Sequence, residues 1–271
     1  MAADLDDVAP ELVEAGRGYE ALYVPALFGA WSAPLIQAAG FGTGAAVLDV
    51  ACGTGVVARA VAELVGPGGR VVGADPAPGM LAAAREVAPQ IDWRLCPAEA
   101  LEVGDGAFDA VLCQFGMMFF ADRNAALKEM ARALRPGGVL AVSVWDYVAA
   151  NPAYERVIGF LEEEVGTAAA DAVRMPFCLG DPDAVLEPIR AAGFAEISLE
   201  TMAGAGRFPS ARTMLEAELR GWLPLFGIQL LEDRIESLLT QADRVLAELV
   251  SASGEVVFPT SAHIVTARKL A

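Results

Sequence analysis

A carboxylate and two glycines interrupt an apolar stretch near residue 50. Asp49 lies at the end of the apolar run 45–50, and Gly53 and Gly55 follow it in the motif DVACGTG. A glycine-rich turn between a strand and a helix lets a ligand approach the backbone closely, and it presents free N–H groups at the helix N-terminus. The motif therefore predicts a ligand-binding loop.

Two phosphate-binding patterns compete as interpretations of this loop. A dinucleotide loop reads GxGxxG, and this chain reads GTGVVA, with Ala58 as a permitted variant of the third glycine. A P-loop ends in Gly-Lys followed by Ser or Thr, and that ending is absent from the sequence. The glycines alone leave the dinucleotide open.

Two acids change this prediction. Asp49, four residues before Gly53, would repel a pyrophosphate and would suit a cation or a hydroxyl-bearing ligand. Asp75, 20 residues after Gly55, ends a second apolar run, where a carboxylate can accept hydrogen bonds from both ribose hydroxyls. The predicted ligand carries a ribose and a positive charge but no phosphate, and S-adenosylmethionine meets all three conditions.

The elements that must position these acids alternate between strand and helix. Apolar runs predict strands at 45–50, 70–75, 91–96, 110–113 and 139–145. The helices predicted between them are a face of Val57, Val61, Leu64 and Val65, a segment over 76–87, and a segment marked by Leu127, Met130 and Leu134 that ends at 135–138. This alternation indicates an α/β fold with a parallel sheet, helices on both faces, and ligands at the carboxyl ends of the strands.

The rest of the chain is less regular. Further helices are predicted at 152–165 and 183–192, a strand at 195–201, a mostly helical stretch at 207–254 and a last strand at 262–269. Residues 1–40 form a helical lead-in that we expect to be broken at Pro25 and Pro34.

Four blocks together carry a family resemblance: VLDVACGTG (47–55), VVGADPAPGMLAAAR (71–85), FDAVLCQFGMMFF (108–120) and LKEMARALRPGGVLAVSVW (127–145). The chain resembles the class I S-adenosylmethionine-dependent methyltransferases, in the small-molecule branch with quinone- and sterol-type C-methyltransferases. The resemblance implies a Rossmann-like doubly wound sheet of about seven strands, mostly parallel with an antiparallel last strand. We expect a core of 41–203 and 259–271, an N-terminal lid of 1–40, and a helical insertion at 204–258 that forms a substrate cap.

The family pattern implies cofactor roles position by position. Gly53 and Gly55 would line the methionine portion and the ribose, Asp49 would lie near the methionine amino group, and Asp75 would hold the ribose hydroxyls. The other implied cofactor positions are Ala51 in the loop, Pro76 and Met80 flanking the adenine, Ala98 and Glu99 at its edge, Gln114 and Phe115 beneath the methionine, and Tyr19 and Tyr23 in the lid.

One position departs from the family pattern. Pro97 stands where an Asp or Asn side chain usually takes the adenine amino group. The backbone N–H of Ala98 could still serve the adenine ring, and Glu99 either replaces the missing acceptor or faces solvent. Loss of one such hydrogen bond would cost roughly 0.5–1.5 kcal/mol, which weakens cofactor binding without abolishing it.

The substrate pocket is expected between the lead-in and the insertion. Apolar walls suit a small, largely apolar acceptor, although core packing explains such residues equally well. The candidate pocket residues are Phe28, Met118, Phe119, Trp222 and Phe226.

Methyl transfer from a sulfonium is an in-line displacement, so alignment should dominate catalysis and a base is needed only if the acceptor must lose a proton. His263 is the only histidine, but it lies in the predicted last strand. Asp146 and Tyr147, just after the fifth strand, are alternative assisting residues. The acids do not cluster with His or Cys, so we expect no metal site.

The composition limits partners and compartment. A net charge of −17, from 36 acids and 19 bases, argues against nucleic acid and anionic membrane surfaces. The four cysteines form no CxxC pair, and the N-terminus lacks a signal-peptide pattern, so we expect a cytoplasmic protein without membrane insertion.

Two other functions stay open: a relative that binds the cofactor but catalyses cyclisation or rearrangement, and a non-catalytic binding module. The oligomeric state is open too.

Overall fold

The computed structural model describes residues 7–270. Its strands are β1 (Ala46–Val50), β2 (Arg70–Asp75), β3 (Asp92–Leu95), β4 (Phe108–Gln114), β5 (Leu134–Trp145), β6 (Phe194–Phe208) and β7 (Val256–Lys269). Its α-helices are α1 (Pro10–Tyr23), α2 (Gly29–Ala39), α3 (Val56–Val65), α4 (Pro78–Val87), α5 (Arg123–Ala133), α6 (Pro152–Glu164), α7 (Thr167–Arg174), α8 (Pro182–Ala191), α9 (Ala211–Glu216), α10 (Glu232–Leu239) and α11 (Ala242–Val245).

The seven strands form one mixed sheet in the order β3-β2-β1-β4-β5-β7-β6. The pairs β1–β2, β1–β4, β2–β3 and β4–β5 are parallel, and the last strand, β7, is antiparallel. The strand order reverses between β1 and β4, which is where open α/β sheets bind ligands. The predicted fold class is confirmed.

One side of the sheet packs beneath α2 and α3. Leu35 and Ile36 of α2, Val57 and Val61 of α3, and Leu112 of β4 belong to one buried cluster. Each such side chain contributes about 1.5–3 kcal/mol when fully buried, so this cluster fixes the two helices on β1 and β4.

Four sequence predictions about elements are wrong in detail. The lead-in is not broken at its prolines, because a π-helical turn, Val24–Phe28, contains Pro25 and α2 continues through Pro34. Leu64 is exposed, whereas Ala58 is buried on the core face of α3. Helix α5 ends at Ala133, so Leu134 and the segment 135–138 belong to β5, whose register shifts near Phe108. Finally, β6 and β7 are longer than predicted.

The described chain divides into two compact units. The first runs to Val144 and includes Asp181–Met202 and the residues from His263 onward. The second comprises Trp145–Gly180 and Ala203–Ala262. Residues 145–180 thus belong to the same unit as the predicted insertion.

One helical run, Pro10–Ala39, is long and apolar enough to span a bilayer, with a mean hydropathy of 1.2 over its best window. Core helices meet the same criterion, and a single such run is weak evidence of a membrane span. A third of that window is buried, and α2 carries core residues of the first unit.

Candidate functional site

The loop between β1 and α3 is held in an unusual backbone conformation. Ala51, Gly53 and Gly55 have φ angles of 56°, 55° and 85°. Glycine adopts this left-handed region freely, whereas Ala51 is strained there. Such strain is concentrated at functional sites, and here it turns the backbone sharply at the strand-order reversal.

The two oxygens of Asp49 differ in their contacts. Asp49 is 1% exposed, and its Oδ2 accepts a hydrogen bond from the backbone N–H of Ala58 at 3.0 Å, which satisfies a donor in the first turn of α3. Its Oδ1 is buried without a hydrogen-bond partner. Burial, and then the neighbouring Asp75, raise the pKa of Asp49 to about 8. A cation beside Oδ1 would remove this cost.

Asp75 ties the glycine loop to β2. Its Oδ2 accepts from the N–H of Gly53 and its Oδ1 from the N–H of Ala77, both at 2.8 Å. Burial raises the pKa of Asp75, and these two hydrogen bonds oppose the shift. A carboxylate has about four acceptor positions, so two remain for ligand hydroxyls.

The end of β4 completes the same edge of the sheet. Phe115 has a φ of 52°, and its N–H donates to the carbonyl oxygen of Ser143 at 3.0 Å. The Gln114 amide donates to the carbonyl oxygen of Phe28 at 3.1 Å. Gln114 Oε1 and Ser143 Oγ are buried without hydrogen-bond partners, and these two residues face each other in the β4–β5 register. They offer polar contacts to a ligand or to buried water.

Aromatic side chains of the lead-in lie beside this edge. Tyr19 stacks on Phe28 with ring centroids 5.5 Å apart, and Tyr23 lies 5.5 Å from Tyr19. Phe28 lies 5.8 Å from Phe115. Tyr19 also approaches the glycine loop, because its ring is 3.9 Å from the position that a Cβ on Gly53 would take. Burial, and then Asp75 and Glu20, raise the pKa of Tyr19, which keeps its hydroxyl protonated.

The predicted adenine positions follow β2 and β3. Pro76 and Met80 flank the start of α4, and Ala98 is buried in a short 3₁₀ turn after Pro97. The Glu99 carboxylate accepts from the N–H of Asp122 at 3.2 Å. Glu99 therefore has a contact at the start of α5, whether or not it also meets a ligand.

The candidate assisting residues have structural hydrogen bonds. Asp146 accepts from the N–H of Tyr147 at 2.7 Å and from Ser261 Oγ at 2.8 Å. Tyr147 is exposed. His263 is buried in β7, with its Nδ1 2.8 Å from Thr201 Oγ1.

The candidate pocket residues do not all lie in one unit. Phe28, Met118 and Phe119 belong to the first unit, where Met118 is buried and Phe119 is 45% exposed. Trp222 and Phe226 belong to the second unit, with ring centroids 5.4 Å apart, and Trp222 donates to the carbonyl oxygen of Ala172 at 2.9 Å. Across residues 7–270, no group of three or more His, Cys, Asp or Glu side chains is placed to hold a metal ion.

Comparison with known proteins finds a family similarity in the segment that contains this loop. Residues 47–138 match the family model described as a methyltransferase domain. The matched segment, which is less than half of the chain, resembles a methyltransferase domain. It begins at Val47 in β1 and ends at Gly138 in β5, so it contains the glycine loop, Asp49, Asp75 and the β4 edge.

Two curated relatives are similar to part of this chain. A ubiquinone/menaquinone biosynthesis C-methyltransferase of Hahella chejuensis is 41% identical over 118 residues, covering 41% of this chain and 47% of its own. A demethylmenaquinone methyltransferase of Thermus thermophilus is 49% identical over 100 residues, covering 35% of this chain and 45% of its own. The chain spans about half the length of the curated relatives it matches.

Solved structures share the fold over more of the chain. A phosphoethanolamine N-methyltransferase of Haemonchus contortus, in complex with S-adenosyl-L-methionine, covers 96% of this chain and 57% of its own, with a TM-score of 0.58 and 20% identity. A cyclase covers 90% of this chain and 81% of its own, with a TM-score of 0.55 and 23% identity. At these identities the likeness shows the methyltransferase fold alone.

Sequence reasoning missed three residues of this region. Thr54 contacts Glu20 of α1, and Ser143 lies beside Gln114. Thr54 stands within the glycine motif but carries no charge, Ser143 stands among apolar residues of the block 127–145, and Glu20 lies outside every motif. Their spacing along the chain carries no signal of these contacts.

Proposed function

We propose that this chain transfers a methyl group from S-adenosylmethionine to a small, largely apolar acceptor and releases S-adenosylhomocysteine. The observation that carries the proposal is the unpartnered, buried Oδ1 of Asp49 beside a glycine loop that Asp75 holds. A buried carboxylate without a partner is costly and is relieved by a cation. A phosphate-bearing end would bring no cation to Asp49 and would bind poorly there.

Different residues of the segment 47–138 would bind different parts of the cofactor. Asp49 would face the methionine ammonium group, and Asp75 would accept from the ribose hydroxyls. Ala51, Gly53 and Gly55 would bring the backbone close to the cofactor, and Ala98 would offer its N–H to the adenine. The bound cofactor supplies an electrophilic methyl group on a sulfonium, and the chain's task is to align the acceptor with it.

The acceptor is proposed from the site and the relatives together. Phe28, Phe115 and the lid tyrosines offer an aromatic wall, which suits a ring-bearing substrate. Gln114 Oε1 and Ser143 Oγ offer polar contacts to a hydroxyl on that ring. The curated relatives are named for quinone biosynthesis, so a hydroxylated aromatic ring is the substrate class that we propose.

No general base is assigned, and positioning is proposed as the main source of catalysis. Asp146, Tyr147 and His263 stay candidates for assistance only. The cap role of residues 204–258, the lid role of residues 1–40 and the cytoplasmic location are also proposals. The location is supported by the buried free thiols of Cys52, Cys96 and Cys113.

Calorimetric titration of the full chain with S-adenosylmethionine and S-adenosylhomocysteine tests the cofactor. Binding of both is expected, and no binding by a folded chain would overturn the proposal. Incubation of labelled S-adenosylmethionine with hydroxylated aromatic acceptors, including a demethylmenaquinol, tests the reaction. A product heavier by one CH₂ is expected, whereas an isomer of the acceptor would support the cyclase-type alternative.

A further inference from the structure

We infer that Glu20, on helix α1, is a positioning residue that holds the glycine loop in its ligand-binding geometry. The inference rests on the proposed function, because the ligand of the loop is the methyl donor. It is carried by a hydrogen-bonded set of three residues, Glu20, Thr54 and Arg59, which we call the loop bridge.

Both oxygens of the Glu20 carboxylate belong to the loop bridge. Oε2 accepts from Thr54 Oγ1 at 2.5 Å, and Oε1 accepts from the Arg59 guanidinium at 2.6 Å. A second Arg59 nitrogen donates to the carbonyl oxygen of Thr54 at 2.5 Å. Thr54 is therefore held at its hydroxyl and at its carbonyl, directly between the two glycines of the loop.

The loop needs such support, because its two glycines increase the conformational freedom of the backbone. Gly53 and Gly55 have more accessible backbone conformations than other residues, and fixing them on binding costs conformational entropy. A loop that is fixed before the ligand arrives avoids much of that cost. Thr54 is 1% exposed, and the Glu20 and Arg59 side chains are 23% and 22% exposed, so the ion pair is shielded from water more than a surface pair is.

The same turn of α1 also covers the loop. Tyr19, next to Glu20, places its ring over Gly53. Helix α1 is in turn fixed on α4 where Gly16 and Gly79 meet, since a Cβ on Gly16 would lie 2.3 Å from the carbonyl oxygen of Gly79. The packing of α1 on α4 and the ordering of the glycine loop are therefore coupled through Glu20.

A second ion pair of α1 provides a matched control. Arg17 donates to Glu86 of α4 at 2.6 Å, with the two side chains 53% and 47% exposed. This pair joins α1 to α4 on the solvent side and contains no residue of the glycine loop. Glu86→Ala therefore removes an ion pair of similar length from the same helix while leaving the loop bridge intact.

The experiment compares Glu20→Ala, Thr54→Val, Thr54→Ser and Glu86→Ala in the full chain. The dissociation rate of S-adenosylhomocysteine is measured by surface plasmon resonance, and amide hydrogen exchange of residues 51–57 is measured without ligand.

Glu20→Ala and Thr54→Val should raise the dissociation rate about tenfold, which corresponds to a loss of about 1.4 kcal/mol of binding free energy. Both should also speed exchange in the loop. Thr54→Ser, which keeps the hydroxyl, should restore both values, and Glu86→Ala should stay within about twofold of the wild type.

The outcomes separate the role of Glu20 from the proposed function. A wild type that does not bind S-adenosylhomocysteine would overturn both. A wild type that binds, with unchanged dissociation and loop exchange in Glu20→Ala and Thr54→Val, would overturn the role of Glu20 alone. Equal effects of Glu20→Ala and Glu86→Ala would reduce that role to general docking of α1 and would also overturn the inference.

Discussion

The two carboxylate oxygens of Asp49 have different surroundings at the residue scale. Oδ2 satisfies the Ala58 N–H at the start of α3, and Oδ1 points to no protein donor. Because burial raises its pKa to about 8, the unliganded carboxyl is mostly protonated at neutral pH. The carboxyl ionises only when the pH rises or when a cation binds beside it.

Asp49→Asn should therefore change how stability depends on pH. In the wild type the folded state binds a proton that the unfolded state, with a pKa near 3.8, has lost, so the contribution of this group to stability falls as pH rises from about 4 to about 8. The variant has no such proton. It should match the wild type near pH 5 and be more stable by about 3–4 kcal/mol at pH 8. Urea unfolding across this range measures the difference, and parallel curves for the two proteins would contradict the raised pKa.

Asp75→Ala should weaken S-adenosylhomocysteine binding at least about tenfold, because it removes the proposed ribose acceptor and also the acceptor for the Gly53 N–H. Titration calorimetry of the variant against the wild type gives the ratio. Unchanged affinity in a folded variant would refute the ribose assignment. Asp75→Asn, which keeps one acceptor oxygen, should lie between the two.

The acids of the site could be read from the sequence because spacing determines where a strand ends. Asp49 and Asp75 lie at the ends of neighbouring parallel strands, so their meeting at one edge follows from the fold. The loop bridge could not be read this way, since Glu20 reaches Thr54 across 34 positions of chain. Such a contact depends on how α1 packs, and that is decided by tertiary structure.

At the scale of elements, the loops after β1 and β4 touch at a single small residue. A Cβ on Gly116 would lie 2.4 Å from the Cβ of Ala51, closer than such atoms approach. Gly116 has a φ of −101°, which any residue can adopt, so the need for glycine here is steric. The loops after β1 and β4 are therefore packed directly against each other.

Gly116→Ala should destabilise the chain by about 1–3 kcal/mol through overpacking, and it should weaken S-adenosylhomocysteine binding as the loops separate. Gly104→Ala is the control, because its new Cβ would meet only the Ala107 Cβ at 3.9 Å, an ordinary contact. Thermal unfolding and calorimetry report both effects. Equal stability of the two variants would contradict the close contact between the loops.

Element order was predictable because apolar periodicity persists through residues 45–145, but element ends were not. The RPGG segment resembles a helix stop, yet residues 135–138 lie inside β5, in the irregularity where the register with β4 passes from Leu134 to Val139. Likewise Pro25 predicts a break, and the chain instead widens one turn into a π-helix. The local sequence at both places predicted an interruption of the helix, and tertiary packing determined which backbone conformation formed there.

At the scale of the whole molecule, the negative charge selects among ligands. With a net charge of −17 and two acids at the glycine loop, the chain should discriminate against polyanions. S-adenosylhomocysteine and ATP share an adenosine, so they differ mainly in their charged ends. The pair tests the phosphate-free prediction without knowledge of the acceptor.

S-adenosylhomocysteine at a hundredfold excess over its Kd should stabilise the chain by about 2.7 kcal/mol. For a chain of this size that corresponds to a rise in Tm of roughly 5–10 °C. ATP at the same concentration should leave Tm within about 1 °C of the free protein, because its phosphates bring no cation to the buried Asp49 carboxyl and are disfavoured by the net negative charge. Differential scanning fluorimetry gives both values, and equal shifts would favour a dinucleotide-type site.

The π-helical turn at Val24–Phe28 makes the joint between α1 and α2 sensitive to length. An α-helix turns about 100° per residue, so the extra residue in this turn sets the angular phase between the loop-covering face of α1 and the core face of α2. Shortening the joint by one residue would restore regular helical geometry while swinging Leu35 and Ile36 out of the buried cluster. We therefore expect substitutions between residues 24 and 28 to be tolerated far better than a single deletion, a difference that a deletion scan read by protein solubility would reveal.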